Sequence, residues 1–177
     1  MSEEYIKARK AAEKTVHRME ADHRSPYLPV LDEMISSDLH VKVHLGILDI
    51  PLDLVTGTKT AGRQQAFACD FMPLMETGSE FSQKWDSVYT YQVREGISDP
   101  VTVYEYKRHF YVLEGNKRVS VLKYLDAPAV RADVTRIMPK EEDELYNAFL
   151  RFYNVCPLYE IGFSQPVSYR KLAEMMN

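Results

Sequence analysis

The sequence predicts an α+β protein in which a small, partly antiparallel sheet packs with helices and carries helical extensions at both ends. Three observations lead to this class: helical spacing of apolar residues near both termini, alternation of apolar and polar residues in residues 39–50 and 129–138, and a hairpin pattern in "VYEYKRHFYV". The resulting order of strand, helices, hairpin, helix and strand between helical ends is an α+β layout.

Both ends of the chain are predicted to be helical. Residues 2–22 place their apolar side chains near one helical face, and Ser2 is a suitable N-cap. A short second helix is predicted from Leu31 to Ile35. Near the other end, one helix follows Pro139 and Ser168 caps a last one. We therefore divide the chain into an N-terminal helical arm (1–38), a core (39–139) and a C-terminal helical extension (140–177).

The first half of the core is predicted to contain a strand, a polar loop and two helices. The strand begins near residue 39 and ends at Pro51, because proline cannot continue the hydrogen-bonded ladder. Its apolar face is expected to comprise Val41, Val43, Leu45 and Ile47. The pattern that follows predicts a short helical turn at "PLDLV", a polar loop at Gly57–Arg63, a helix within residues 63–76, and a helix that Ser79 caps and Gly96 ends.

The second half of the core is predicted to be a hairpin, a short helix and a strand. Two β-rich runs, "DPVTVYEY" and "HFYVLEG", are joined by Lys107 and Arg108. The helix begins near Lys117 and is closed by Asp126 and Pro128. The alternation in "AVRADVTRIM" then indicates another strand.

Composition excludes several classes of protein. The 177 residues are 45% apolar and 27% charged, which is typical of a globular domain that buries a core without disulfide bonds. No apolar run has the length of a membrane span and the N-terminus is too polar for a signal peptide, so we predict a cytoplasmic protein without a membrane partner. Cys69 and Cys156 lie far apart without a CxxC motif, which predicts free thiols. The net charge of −4 argues against a broad nucleic-acid surface.

The stretch "EGNKR" breaks a local rule and is the main candidate for a binding site. Lys117 and Arg118 fall at the start of a predicted helix, where the aligned peptide dipoles repel cations at a cost of roughly 0.3–1 kcal/mol each. Gly115 lets the backbone turn tightly and lets another group approach. Unpaired amides, a glycine and two cations together predict an anion site for phosphate oxygens. The alternative is that surface carboxylates, or Glu114, neutralise the two cations.

A second basic loop is expected to face the same anion. Lys59, Thr60 and Arg63 supply two cations and a hydroxyl donor. The loop is not a P-loop, because Arg63 stands where that motif has lysine and Gln64 where it has the metal-binding hydroxyl. The alternative is an ordinary solvated loop.

Glu114 is the candidate acid of the site. Beside a phosphate, its carboxylate would hold Mg²⁺ or accept a proton from an attacking group. The alternative role is to balance the charge of Lys117 at the start of the helix.

Residues 99–137, "DPVTVYEYKRHFYVLEGNKRVSVLKYLDAPAVRADVTRI", resemble the ParB/sulfiredoxin-like family. Gly115-Asn116-Lys117-Arg118 fits the G-x-x-R turn of that family. "DIPLDLV" resembles its opening strand and turn, and Arg63 resembles the arginine of its first phosphate-proximal loop. The resemblance covers about residues 45–138 and implies that the G-x-x-R turn contacts nucleotide phosphates at a helix N-terminus.

One departure from the family pattern bears on chemistry. Sulfiredoxins carry a cysteine two residues before the arginine, and this chain has Asn116 there. Because an amide cannot form the covalent sulfur adduct, sulfiredoxin activity is excluded.

These observations predict a domain that binds a nucleotide or another phosphorylated ligand between the 57–63 loop and the 115–118 turn. Mg²⁺ bound together with a nucleotide is one option for a cofactor, and NTP hydrolysis or phosphotransfer stays open. Two alternatives also stay open. One is a DNA-binding or nuclease-like module that uses the same basic loop. The other is a non-catalytic sensor or assembly domain that contacts a second copy or a neighbouring domain of a longer chain.

Overall fold

The computed structural model describes residues 2–36 and 39–177 and contains a five-stranded mixed sheet flanked by helices. The strands are β1 (Lys42–Pro51), β2 (Val55–Thr58), β3 (Val101–Tyr106), β4 (His109–Glu114) and β5 (Ala129–Ile137), in the spatial order β1-β5-β3-β4-β2. The pairs β1/β5 and β3/β4 are antiparallel, whereas β5/β3 and β4/β2 are parallel. The predicted α+β class is therefore confirmed.

Six α-helices accompany this sheet in the described part of the chain. They are α1 (Glu3–Ala21), α2 (Leu31–Met34), α3 (Glu80–Arg94), α4 (Asn116–Tyr124), α5 (Glu144–Val155) and α6 (Pro166–Met176). The predicted caps of the two longest are confirmed, since the Ser2 hydroxyl accepts from the Tyr5 amide and the Ser79 hydroxyl from the Ser82 amide, both at 3.2 Å. Over residues 2–36 and 39–177, no helix is both long and apolar enough to cross a membrane.

A single large apolar core covers one face of the sheet. It joins Tyr5 of α1, Trp85 of α3, Val121 of α4, Phe149 of α5 and Tyr169 of α6, each at most 1% exposed. Residues from the arm, the core segment and the C-terminal extension all contribute to it, while the exact boundaries at 38/39 and 139/140 stay a prediction. The opposite face carries a smaller cluster of Leu31, Tyr111 and Ile137.

The helix predicted within residues 63–76 is wrong. A 3₁₀ helix at Ala61–Ala66 is followed by a tight turn in which Phe67 and Pro73 form an isolated β-bridge. Phe71 has a φ of +68°, and Asp70 accepts a hydrogen bond from the Met72 amide at 3.1 Å. The apolar residues are buried by this turn, so their spacing imitates one face of a helix without forming one.

The predicted apolar face of the first strand is also wrong, since Val41 is 69% and Val43 42% exposed and the alternation changes after Leu45. The register of β1 against β5 shifts between His44 and Gly46, which is a β-bulge, and Gly46 has a φ of +83°. A bulge exchanges the two faces of every later residue. Ile47 is therefore 54% exposed, whereas Ile50 is fully buried.

Smaller differences concern the ends of elements. Gly57 and Thr58 belong to β2 rather than to a loop. Helix α5 begins four residues later than Pro139 suggested, where Asp143 caps it by accepting from the Tyr146 amide at 2.9 Å. Helix α6 begins at Pro166, so Ser168 lies inside it rather than at its cap.

Candidate functional site

Three cations from three different elements line one cavity. Arg63 comes from the 3₁₀ helix, Lys84 from α3 and Lys117 from the first turn of α4. The cavity has a volume of about 290 Å³, and its remaining lining residues are Met75, Ser79, Glu80 and Phe81. We call it the basic cavity. The structure thus brings Arg63 and Lys117 together, as the sequence predicted.

The basic cavity lies at the N-terminus of α3. Ser79 caps this helix, accepting from the Ser82 amide and donating to the Glu76 carbonyl oxygen at 2.6 Å. The backbone N–H groups of the first helical turn that do not donate to the Ser79 cap stay available to a ligand. The helix dipole adds positive potential at the same end. The helix end therefore adds to the charge of the three side chains.

Lys117 is held in an environment that disfavours its charge. Burial lowers the pKa of its ammonium, and the nearby charges of Arg63 and Lys84 lower it further, while Glu80 acts in the opposite direction. Its Nζ atom lies 4.6 Å from the centroid of the Phe81 ring, so an aromatic face is its direct neighbour. A bound anion would offset the repulsion among these cations.

Glu80 is the acidic residue of the cavity. Its Oε1 lies 2.5 Å from Lys84 Nζ, and this hydrogen bond lowers the pKa of the Glu80 carboxyl, with smaller contributions from Lys117 and Arg63. Both partners of this pair are largely exposed, and such pairs contribute little to stability. With one carboxylate against three cations, the cavity keeps a net positive charge.

Gly115 sets the start of α4 and thereby the position of Lys117. Its φ of +108° is left-handed, and a Cβ atom at this position would lie 2.5 Å from Val101 Cγ1 and 3.0 Å from Arg118 Nη2. Only glycine satisfies both the backbone angle and the close approach. The helix begins without a side-chain cap, so its first amides depend on other groups for hydrogen bonds.

Arg118 points away from the basic cavity. Its Nη1 donates to the carbonyl oxygens of Asp99 at 3.0 Å and Pro100 at 3.2 Å, which ties α4 to the loop before β3. It lines a separate cavity of about 240 Å³ together with Tyr91 and Ile97. The two cations of the G-x-x-R turn thus face different cavities, and a phosphate contact by Arg118 stays a prediction.

Lys59 and Thr60 do not line the basic cavity. Lys59 is 7% exposed and forms an ion pair with Asp32, and its Nζ lies 5.1 Å from the centroid of the Tyr104 ring. Thr60 is exposed and precedes the 3₁₀ helix without capping it. Their predicted role in phosphate binding therefore stays a prediction.

The predicted acid, Glu114, lies exposed at the end of β4 opposite Thr102. Asn116 follows at the first position of α4, and its Oδ1 is buried without a hydrogen-bond partner in the described part of the chain. Across residues 2–36 and 39–177, no group of three or more His, Cys, Asp or Glu side chains is arranged to hold a metal ion. The roles of Glu114 in Mg²⁺ binding or proton transfer stay predictions.

Lys84 was not predicted from the sequence to belong to a binding site. Its only sequence signal is the Glu80–Lys84 spacing, which is common on solvated helix faces and indicates no ligand. Lys84 and Lys117 lie on two helices between which the hairpin is inserted, and only the packing of these helices brings both side chains to one cavity. A single sequence therefore could not indicate it.

A buried polar network was also missed. Glu105 is fully buried and accepts from Arg136 Nε at 2.9 Å and from the Tyr146 hydroxyl at 2.8 Å. Arg136 Nη2 donates to the Tyr159 hydroxyl at 2.7 Å. Burial raises the pKa of the Glu105 carboxyl, and Arg136 and Tyr146 act against that rise. None of these four residues lines the basic cavity, and their mutual hydrogen bonds indicate a structural role that joins β3 and β5 to α5.

No protein-family model matches this chain, and a search of curated proteins finds no match. Among solved structures, the chain is similar to sulfiredoxin from Arabidopsis thaliana, with 22% sequence identity and a TM-score of 0.34 over 50% of this chain and 82% of that chain. A likeness at this level establishes neither a family nor an activity. Membership of the ParB/sulfiredoxin-like family therefore stays a prediction.

Proposed function

We propose that this domain binds a phosphate-bearing ligand in the basic cavity. The observation that carries the proposal is the convergence of Arg63, Lys84 and Lys117, from three separate elements, on one concave site. Each of these cations disfavours the charged form of the others, and a bound anion would favour it. Burial is the main cause of the lowered pKa of Lys117, and the charges of Arg63 and Lys84 lower that pKa further.

The chemistry of the three cations suits phosphate oxygens. The guanidinium of Arg63 offers paired N–H donors in a planar fork, while Lys84 and Lys117 act as point charges. The N-terminus of α3 adds backbone donors and a positive dipole. A phosphate monoester or diphosphate carries enough negative charge to displace Glu80 from Lys84 and to pair with all three cations.

The volume of the basic cavity limits how much of a ligand it can enclose. At about 290 Å³ it lies just below the range of about 300–1,000 Å³ that is usual for ligand pockets. The cavity therefore encloses the phosphate groups, and the remainder of a larger ligand such as a nucleotide extends outward. A nucleotide and a smaller phosphorylated metabolite both meet this description.

Thermal unfolding with added anions tests the proposal. Pyrophosphate and ATP, each with and without Mg²⁺, are titrated into the wild type, into the double variant Arg63→Met/Lys117→Met and into the control Lys171→Met, which removes an exposed cation from α6. At a hundredfold excess over its dissociation constant, a ligand should stabilise the wild type and the control by about 2.7 kcal/mol.

The double variant should show no such gain. Equal stabilisation of the double variant and the wild type would overturn the proposal, as would the absence of stabilisation by either anion in all three proteins.

A further inference from the structure

The two edge strands of the sheet, β2 and β1, differ in whether their outer sides are covered by other residues. Strand β2 is short, and its outer edge is covered, because the Thr58 amide donates to the Pro29 carbonyl oxygen at 2.9 Å and Val30 forms a bridge with Thr58. Strand β1 has ten residues and pairs with β5 on one side. Within residues 2–36 and 39–177, no other strand pairs with its outer side.

The exposed edge of β1 also carries apolar side chains. Val43 is 42% exposed and Ile47 is 54% exposed. Unpaired backbone groups beside exposed β-branched side chains form a template on which another strand adds. The features of β1 that commonly protect such edges are the Gly46 bulge, the proline at the end, Pro51, and the exposed charges of Lys42 and Asp49.

The sequence of β1 is complementary to itself when it is read in the opposite direction. A two-fold axis that passes between Leu45 and Gly46, perpendicular to the sheet, relates the two copies. This axis places residue i of one copy opposite residue 91 − i of the other. The resulting cross-strand pairs are Lys42 with Asp49, Val43 with Leu48, and His44 with Ile47, each formed twice.

The faces of these residues agree with this pairing. A two-fold axis perpendicular to the sheet keeps corresponding faces on the same side, so paired residues must share a face. Lys42, His44, Ile47 and Asp49 lie opposite Ile137, Thr135, Asp133 and Arg131 of β5, which alternate along that strand and therefore share one face. Val43 and Leu48 lie opposite Arg136 and Ala132, on the other face. The bulge is what makes this agreement possible, since without it residues 42 and 49 would face opposite sides.

We propose that two copies of this chain pair through the outer edges of β1 in antiparallel orientation, which continues the sheet to ten strands across a two-fold axis at Leu45–Gly46. Lys42 of each copy contacts Asp49 of the other, and the exposed Val43 packs beside Leu48 of the other. Such an interface uses the same patch twice, as a symmetric dimer requires.

Several observations favour a second copy over an unrelated strand. Lys42 and Asp49 are exposed within one chain, and the Lys42 ammonium lies 5.9 Å from the centroid of the Tyr104 ring. A Cβ at Gly46 would have no atom of the described chain within 4 Å, so the face of the sheet beside the proposed axis is not covered at this residue. A single strand pair is a small interface, so the dimer depends on protein concentration.

Sedimentation velocity across a concentration series tests the proposal with variants that reverse the charge of Lys42 or Asp49. Lys42→Asp and Asp49→Lys each place like charges opposite one another twice, so each variant should raise the dimer dissociation constant roughly tenfold or more. The double variant Lys42→Asp/Asp49→Lys restores opposite charges and should return to within about threefold of the wild type. A mixture of the two single variants should also form dimers, because both of its cross-strand pairs are then opposite in charge.

The control Lys171→Asp changes charge by the same amount on α6 and should leave the dissociation constant unchanged. Circular dichroism and thermal unfolding establish that each variant is folded. A wild type that stays monomeric at the highest concentration would overturn the proposal. So would a dimer that the single variants leave intact, or single variants whose loss the double variant does not restore.

Discussion

At the scale of single residues, Gly115 shows most clearly how the sequence determines the site. Its left-handed backbone angle and the contact with Val101 exclude any side chain, and they fix the direction in which α4 begins. The tight turn at Gly115 was predicted correctly from the sequence, because a turn between a strand and a helix is a local feature. It could not predict the divergence of Lys117 and Arg118, because that depends on the loop carbonyls of Asp99 and Pro100.

Replacing Gly115 by alanine should destabilise the fold by about 1–3 kcal/mol, because the new Cβ is strained at this φ and clashes with Val101. The matched control is Gly62→Ala, where no left-handed angle is required and a Cβ meets no atom within 4 Å in the described chain. That variant should be unchanged or more stable by up to about 1 kcal/mol. Urea unfolding measures both, and equal effects of the two substitutions would contradict this account of Gly115.

Lys117 should reduce the stability of the free protein. A lysine whose pKa is lowered by folding opposes folding while it is charged, and the penalty disappears as the pH rises through its folded pKa towards the ordinary value of 10.5. Lys117→Met keeps an apolar contact with Phe81 and removes the charge. At pH 7 and low salt this variant should melt about 1–3 °C higher than the wild type.

The difference in melting temperature should shrink with added salt and as the pH approaches 10.5. Thermal unfolding across a pH and salt series measures it. A variant that melts lower than the wild type at pH 7 would show that the charge of Lys117 is satisfied within the free protein.

At the scale of elements, the sequence predicted α1, α3, the β3/β4 hairpin, α4 and β5, because each has regular spacing and recognisable ends. Two predictions from the sequence were wrong: the apolar face of β1, where the strand has a bulge, and the helix within residues 63–76, where the chain turns around Phe71. Both depend on one residue with a left-handed angle, Gly46 and Phe71 respectively, whose placement is determined by tertiary packing rather than by local pattern.

The buried Glu105–Arg136 pair joins β3 to β5 and, through Tyr146, to α5. Glu105→Gln should destabilise the protein by about 3–5 kcal/mol, because it leaves the Arg136 guanidinium buried without its counter-charge. The double variant Glu105→Leu/Arg136→Leu should lose less than the sum of the two single variants. Urea unfolding provides these values, with the exposed Glu141→Gln expected to change stability by less than about 0.5 kcal/mol. A loss below about 1 kcal/mol for Glu105→Gln would contradict the structural role of the pair.

At the scale of the whole molecule, the chain is acidic but the basic cavity is not. The net charge of −4 is an average over the whole sequence, whereas Arg63, Lys84 and Lys117 are gathered by the packing of three elements. The order of strands determines these contacts, because the parallel pairing of β2 with β4 positions the 3₁₀ helix that carries Arg63 near the start of α4. Pairing between segments fifty residues apart has no local pattern, so it could not be predicted from one sequence.

The most direct test of the basic cavity is to locate a bound anion by the amide chemical shifts of the labelled protein during a titration with pyrophosphate. An anion bound in the basic cavity should cause saturable shifts concentrated at the first turn of α3, the first turn of α4 and the residues around Arg63, and these shifts should be lost in Arg63→Met/Lys117→Met. Shifts confined to another surface, such as the neighbourhood of Arg18 and Arg24, or shifts that the double variant retains, would contradict it.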